Sequence, residues 1–131
     1  MRQVRSRSPG LLLLLLASVL LYGCAQREAD GQEDYSDLVH YETGTLQGRV
    51  QVVDVIEQWH NDVLQVQVTV ENPSAFRTDY QYKFRWFNAE GMEVAAEGEP
   101  WKPRELAARS RDHLQGVAPN PSVKRFELRV R

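Results

Sequence analysis

The sequence contains little cysteine and histidine: one cysteine, Cys24, and three histidines stand among its 131 residues. A single cysteine excludes a disulfide within the chain, so the folded part must be held together by packing. No stretch has the spacing of a convincing amphipathic helix, and no apolar run reaches the about 20 residues that a membrane-spanning helix needs. The length allows about one domain and excludes a two-domain enzyme.

Sequence patterns typical of catalysis and metal binding are also missing. The three histidines (His40, His60 and His113) form no His-x-His or His-Glu-x-x-His spacing, and there is no Gly-x-Ser-x-Gly motif. The nearest pair of carboxylates, Glu97 and Glu99, would share one face of a strand, but a small sandwich rarely has the cleft that a glycosidase needs. We therefore expect no enzyme, no catalytic residue, no metal and no cofactor.

Positive charge is scarce in the part of the chain that begins at Cys24. This part has 13 Lys and Arg residues against 18 Asp and Glu residues, a net charge of −5. A nucleic-acid partner requires the opposite balance, because its phosphates must be neutralised by cations. The composition therefore argues against nucleic acid as a partner.

The N-terminal residues have the organisation of an export signal. Residues 1–8 carry three arginines and no acid, and an apolar run of 11 residues follows from Leu11 to Leu21. As a helix this run would cover about 16 Å of a hydrocarbon core about 30 Å thick, so it is too short for a stable span. The sequence predicts a signal peptide over residues 1–23.

The end of the apolar run, Leu21-Tyr22-Gly23-Cys24, resembles a lipobox. Leu21, Gly23 and Cys24 match the pattern, and Tyr22 is bulkier than the residues usual at its position. The resemblance implies cleavage before Cys24 and covalent attachment of diacylglycerol and an N-acyl chain, which would anchor the protein firmly. Ala25 stands where inner-membrane lipoproteins have Asp, which implies the periplasmic side of the outer membrane in a Gram-negative bacterium. The alternative is a plain secretory signal with an incidental Cys24.

The exported part divides into a polar segment and a segment with strand patterning. Residues 24–44 are acidic and poor in apolar side chains, which indicates a flexible tether. From residue 45 the hydrophobic period is two, the mark of half-buried strands. The clearest alternation is that of Leu64, Val66, Val68 and Val70 with polar residues. Before it, the apolar phase changes between Val52 and Val53, as a bulge or a strand shared by two sheets would require.

Six or seven short strands at spacings of about 8–12 residues predict an all-β, immunoglobulin-like antiparallel β-sandwich over residues 45–131. Tyr80 to Trp86 alternates aromatic with polar side chains, and either Phe84 or Trp86 can be the aromatic that packs between the sheets. The C-terminal strand, Phe126 to Val130, could be an edge to which another chain adds a strand.

The residues that carry a family resemblance are the lipobox, Val66 to Asn72, Tyr82 to Gly91, Trp101, Gly116 to Pro119 and Phe126 to Val130. Together they resemble the YcfL-like family of small proteobacterial lipoproteins. The resemblance implies an immunoglobulin-like periplasmic domain and leaves its activity open.

Two groups of residues are candidates for a binding surface. Trp59 is predicted in a hairpin and Trp101 in a proline-bracketed loop, where a tryptophan can stack on a sugar, anchor a protein or cover an open end of the sandwich. The second group consists of five cations, Lys83, Arg85, Arg125, Arg129 and Arg131. They would share a solvated sheet face if their strands lie in one sheet.

The sequence supports two hypotheses for the function. The first is a non-catalytic envelope lipoprotein that binds another envelope protein. The alternative is a module that binds peptidoglycan or another glycan through the exposed tryptophans and the cationic face.

The lipobox generates a direct prediction. The Cys24→Ser variant should lose incorporation of labelled palmitate and should leave the membrane fraction, because no thiol remains to accept diacylglycerol. Mass spectrometry of the natural protein should show an acylated N-terminal cysteine. A free thiol at Cys24, or an intact leader, would contradict the prediction.

Overall fold

The computed structural model describes residues 33–97 and 99–131, and the predicted signal peptide, with Leu21 and Gly23, and the predicted lipidation site Cys24 lie outside this range. Within it no helix is long and apolar enough to cross a membrane. The described residues form eight strands: β1 (Val39–Tyr41), β2 (Gln51–His60), β3 (Val63–Glu71), β4 (Thr78–Asn88), β5 (Glu93–Val94), β6 (Lys102–Leu106), β7 (Arg111–Val117) and β8 (Val123–Val130).

The strands form two sheets. In the five-stranded sheet, β1, β8 and β4 are neighbours in that order, and β5 and β6 both pair with the other edge of β4. The three-stranded sheet has the order β2-β3-β7. The apolar side chains of both sheets meet in one core cluster. The prediction of an all-β, immunoglobulin-like sandwich is confirmed.

β4 supplies the aromatic part of the core. Its inward side chains are Tyr80, Tyr82, Phe84 and Trp86, each at most 3% exposed. Neighbouring rings along the strand are 5.5 to 6.5 Å apart, and Phe126 of β8 lies 5.9 Å from the ring of Phe84. These are favourable separations for aromatic pairs. Both aromatics proposed for the space between the sheets, Phe84 and Trp86, are therefore in the core.

Gly116 of β7 makes room for Phe84 across the sandwich. A Cβ atom built on Gly116 would lie 2.6 Å from Cδ2 of Phe84, well inside contact distance. Because glycine has no side chain, the ring packs against the backbone of the opposite sheet. This contact couples β4 of one sheet to β7 of the other.

The edge of β4 has a gap between its two short partners. β6 pairs with β4 from Thr78 to Tyr82, and β5 pairs only with Trp86 and Phe87. In the gap, the backbone N–H of Phe84 donates to Glu99 Oε2 at 3.1 Å, and Trp86 Nε1 donates to Glu99 Oε1 at 3.3 Å. The Glu99 carboxylate thus takes the place of a strand partner.

The loop after β3 is held by a buried side chain, Asn72, which is 0% exposed. Asn72 Nδ2 donates to the carbonyl oxygens of Phe76 at 2.7 Å and Leu106 at 3.2 Å, and its Oδ1 accepts from the backbone N–H and the hydroxyl of Ser74. All of these polar atoms are satisfied, as burial requires. The amide joins the end of β3 to the end of β6.

Two sequence expectations about the ends of the domain are wrong. The segment 24–44, predicted to be a tether, contains β1, so the sandwich begins before residue 45. β1 pairs in parallel with β8, with Val39 opposite Leu128, so the sandwich is not wholly antiparallel. A three-residue strand is too short to show a period of two. The C-terminal strand is also not an edge, because β8 lies between β1 and β4.

The described residues form eight strands, whereas the sequence predicts six or seven, and the strands of the first hairpin, β2 and β3, are longer than predicted. The pairing of β2 with β3 shifts register between Val52 and Asp54, which confirms a bulge at the predicted phase change. The turn is only Asn61-Asp62, both with positive φ, so Trp59 lies within β2 and not in a loop.

The contact between Phe84 and Gly116 predicts sensitivity to one added methyl group. Gly116→Ala should lower the free energy of unfolding by about 1–3 kcal/mol, because the ring must move from a well-packed position. Chemical denaturation measures the effect. Gly48→Ala is the control, since nothing lies within 4 Å of a Cβ at Gly48. Equal stability of the two variants would contradict this account of the sheet contact.

The gap in the sheet predicts a structural role for Glu99. Glu99→Ala should lower the free energy of unfolding by about 1–3 kcal/mol, because two shielded N–H groups lose their acceptor. Glu99→Gln, which keeps one acceptor oxygen, should lose less. Glu97→Ala is the matched control, because Glu97 is exposed. If Glu99→Ala were as stable as Glu97→Ala, the Glu99 carboxylate would not stabilise the edge of β4.

Candidate functional site

The predicted cations do share one sheet face. Lys83 and Arg85 of β4 alternate with its buried aromatic residues, and Arg125 and Arg129 of β8 alternate with buried Phe126, Leu128 and Val130. The two strands are neighbours, with Lys83 opposite Arg129. We call the outer surface of the five-stranded sheet, with Lys83, Arg85, Arg125, Arg129 and Arg131, the cationic face.

Arg85 is the most firmly paired of these cations. Its Nε and Nη2 donate to the two oxygens of Glu93 at 2.9 and 2.7 Å, a bidentate arrangement across the turn from β4 to β5. The hydrogen bond from Arg85 lowers the pKa of Glu93, and the same bond raises the pKa of Arg85. This pair is therefore charged at neutral pH and stabilises the local structure.

Arg125 and Arg129 also have carboxylate partners. Arg125 Nη1 donates to Glu127 Oε1 at 2.9 Å, and Arg129 Nη2 donates to Glu42 just after β1. The guanidinium carbon of Arg125 lies 4.2 Å from the centre of the Phe87 ring. Much of the positive charge predicted for this face is thus neutralised within the protein.

Trp101 lies against the cationic face, in the segment before β6. Lys83 Nζ is 5.0 Å and Arg131 Cζ is 4.2 Å from the centre of its ring. Both separations are typical of cation–π interactions. The structure therefore brings Trp101 together with the cations that flank it.

Trp59 lies apart from this group, on the three-stranded sheet. It is 50% exposed and pairs with Leu64 across the hairpin. Lys124 Nζ lies 5.0 Å from the centre of its ring. Trp59 is thus part of the three-stranded sheet, whereas Trp101 lies against the five-stranded sheet, and the two do not form one shared platform.

The outer face of the three-stranded sheet carries a surface that the sequence did not predict. Two neighbouring rows of this face, towards the turn between β2 and β3, are Ile56, Gln67 and Gln115, and Gln58, Gln65 and Val117. Ile56 is 43% and Val117 is 59% exposed, and Gln115 donates to Gln67 at 3.0 Å. A shallow depression of about 220 Å³ lies over these side chains. We call this uncharged surface the glutamine face. The sequence pattern that indicates this face is the alternation of Gln65 and Gln67 with buried valines in β3.

The histidines have ordinary surroundings. His113 Nδ1 lies 3.0 Å from the hydroxyl of Thr69, and His40 Nε2 lies 3.6 Å from Glu127. Among residues 33–97 and 99–131, no group of three or more His, Cys, Asp or Glu side chains is arranged to hold a metal ion. The possible pair of carboxylates is divided, because Glu99 is held by β4 while Glu97 is exposed.

Two solved structures share this fold. A DUF1425 family member from Shewanella sp. pv-4 is 32% identical with a TM-score of 0.58, and the match covers 63% of this chain and 76% of that one. The Campylobacter jejuni protein cj0090 is 19% identical with a TM-score of 0.59, and the match covers 71% of this chain and 95% of that one. The second likeness shows the fold alone.

The comparison with curated proteins gives no match. A family model described as "Protein of unknown function (DUF1425)" matches residues 38–131. The match begins at the residue before β1 and includes every strand of both sheets. The chain belongs to the DUF1425 family.

Proposed function

We propose that this protein is a non-catalytic lipoprotein, anchored through Cys24 to the periplasmic side of the outer membrane, whose sandwich binds another envelope protein. Placement among the YcfL-like lipoproteins of proteobacteria is part of the same proposal. The motif Leu21-Tyr22-Gly23-Cys24 after an 11-residue apolar run supports the anchor. The glutamine face supports the protein partner.

The observation that carries this proposal is the absence of charge among the six side chains of the glutamine face. Charged residues make up 26% of the sequence, yet none occupies these six neighbouring positions on three strands, and the nearest acidic side chain of the next row is Asp54. The cores of protein interfaces are depleted of charge in the same way. Ile56 and Val117 expose aliphatic surface there, and the glutamine amides can exchange hydrogen bonds with a partner's polar groups.

The positions of the tryptophans favour a protein over a glycan. Sugar binding usually needs an open aromatic face, but Lys83 and Arg131 lie over Trp101 and Lys124 lies over Trp59. A sugar that stacked on Trp101 would have to compete with two cations. The glycan hypothesis therefore becomes the alternative outcome of the experiment below.

The test is site-specific photo-cross-linking in cells, with the photoreactive residue at Gln67 and at Gln115 in turn. Both positions should cross-link to the same envelope protein. The matched position is Glu90, which is exposed in the turn after β4 and should give no cross-link. Val117→Asp should abolish both cross-links, because it buries a charge in the interface, while leaving the thermal midpoint of unfolding unchanged.

The partner identified in cells should then bind the purified full-length protein and lose affinity for the Val117→Asp variant by about tenfold or more. Cross-links only to a second copy of this chain would contradict the proposal. The proposal would also be contradicted if no cross-link formed and muropeptides changed the tryptophan fluorescence of the unmodified protein but not that of the Trp101→Ala variant. That result would establish the glycan alternative.

A further inference from the structure

Three cations converge at one end of the cationic face, and we call Lys83, Arg129 and Arg131 the cationic trio. Lys83 and Arg129 stand directly opposite each other on β4 and β8. Arg131 follows Arg129 by two residues on the same face, and its backbone exchanges two hydrogen bonds with Gln81, two residues before Lys83. Spacings along and across a sheet put all three side chains within about 8 Å of one another at their Cβ atoms.

The carboxylates of this face neutralise the cationic trio only in part. Arg85 and Arg125 are held by Glu93 and Glu127, whereas no side-chain carboxylate of the described residues lies within 4 Å of the charged ends of Lys83 or Arg131. Arg131 Nε donates to the side-chain oxygen of Gln81 instead. Of the three members, Arg129 alone has a carboxylate partner, Glu42. The trio therefore concentrates positive charge on a protein whose exported part is net negative.

A polar atom without a partner lies within the trio. Arg129 Nε is shielded from solvent and makes no hydrogen bond, although the same guanidinium donates to Glu42 through Nη2. A shielded N–H without an acceptor is costly, and like charges directly opposite each other on neighbouring strands are also destabilising. An anion bound over the outer face of the two strands offsets the repulsion and offers the Arg129 guanidinium a second acceptor.

Trp101 forms the wall of this arrangement. Its ring is the common contact of Lys83 and Arg131, so the site would place an aromatic side chain beside both cations. An indole beside the cations also displaces water, and the attraction between opposite charges strengthens as the local dielectric constant falls.

We propose that the cationic trio and Trp101 form a binding site for a phosphate group, on the opposite side of the sandwich from the glutamine face. A phosphomonoester carries up to two charges and three acceptor oxygens, which suits three neighbouring cationic donors better than a single carboxylate does. The group can belong to free phosphate or to a lipid headgroup. The site does not depend on the proposed protein partner.

The test uses the full-length protein in a neutral detergent and follows the indole N–H signals by NMR. Replacing chloride with inorganic phosphate at constant ionic strength should move the Trp101 signal in a saturable way. The signals of Trp59 and Trp86 should stay in place, because Trp59 is on the other sheet and Trp86 Nε1 is bound to Glu99. Lys83→Gln and Arg131→Gln should each weaken the apparent affinity by about fivefold.

Arg111→Gln is the matched control, because Arg111 pairs with Glu71 on the three-stranded sheet, and its removal deletes an equal charge. This variant should bind phosphate as the unmodified protein does. The proposal is overturned if phosphate leaves the Trp101 signal in place, or if Arg111→Gln weakens binding as much as Lys83→Gln. Circular dichroism checks that each variant keeps its strands.

A second titration identifies the source of the phosphate group. Short-chain phosphatidic acid, whose headgroup is a phosphomonoester, is added to the same detergent solution. Saturation of the Trp101 shift at a lower concentration than inorganic phosphate requires would assign the site to a lipid headgroup. Binding of inorganic phosphate at least as tightly would assign it to free phosphate. No response to either probe would overturn the site.

Discussion

The packing of the Phe84 ring against the backbone of Gly116 determines how the two sheets meet. Phe84 stands in the middle of the buried aromatic row of β4, and Gly116 lies in β7 on the opposite sheet. Since glycine is the smallest residue, the ring can occupy the space that a side chain would fill. The close contact sets the separation of the two sheets at this point.

β4 contributes to three parts of the structure: the core, the outer surface and one edge of the five-stranded sheet. Its inward side chains form the aromatic core, and its outward side chains, Lys83 and Arg85, contribute to the cationic face. Along its free edge, Glu99 completes the hydrogen bonding that β5 and β6 leave open. One strand therefore links the core, the surface charge and the end of the sheet.

The two outer faces differ in their content of charged side chains. The cationic face carries bidentate and single ion pairs, which hold its side chains in place, whereas Lys83 and Arg131 beside Trp101 have no side-chain carboxylate partner in the described part of the chain. The six side chains of the glutamine face carry no charge, and Ile56 and Val117 are exposed among them. Such surfaces suit different ligands, because desolvation of a neutral amide costs far less than desolvation of an ion. We infer that a single small sandwich offers two chemically distinct surfaces.

The sequence by itself determined the class of fold, because a period of two needs only neighbouring residues. Alternation predicted β3, most of β4 and β8, the bulge in β2 and the outward direction of Lys83, Arg85, Arg125 and Arg129. Tertiary structure alone decided that β1 joins β8, that Glu99 fills a gap in β4 and that the two tryptophans separate. Those outcomes depend on contacts between residues distant in the chain, and local periodicity carries no information about them.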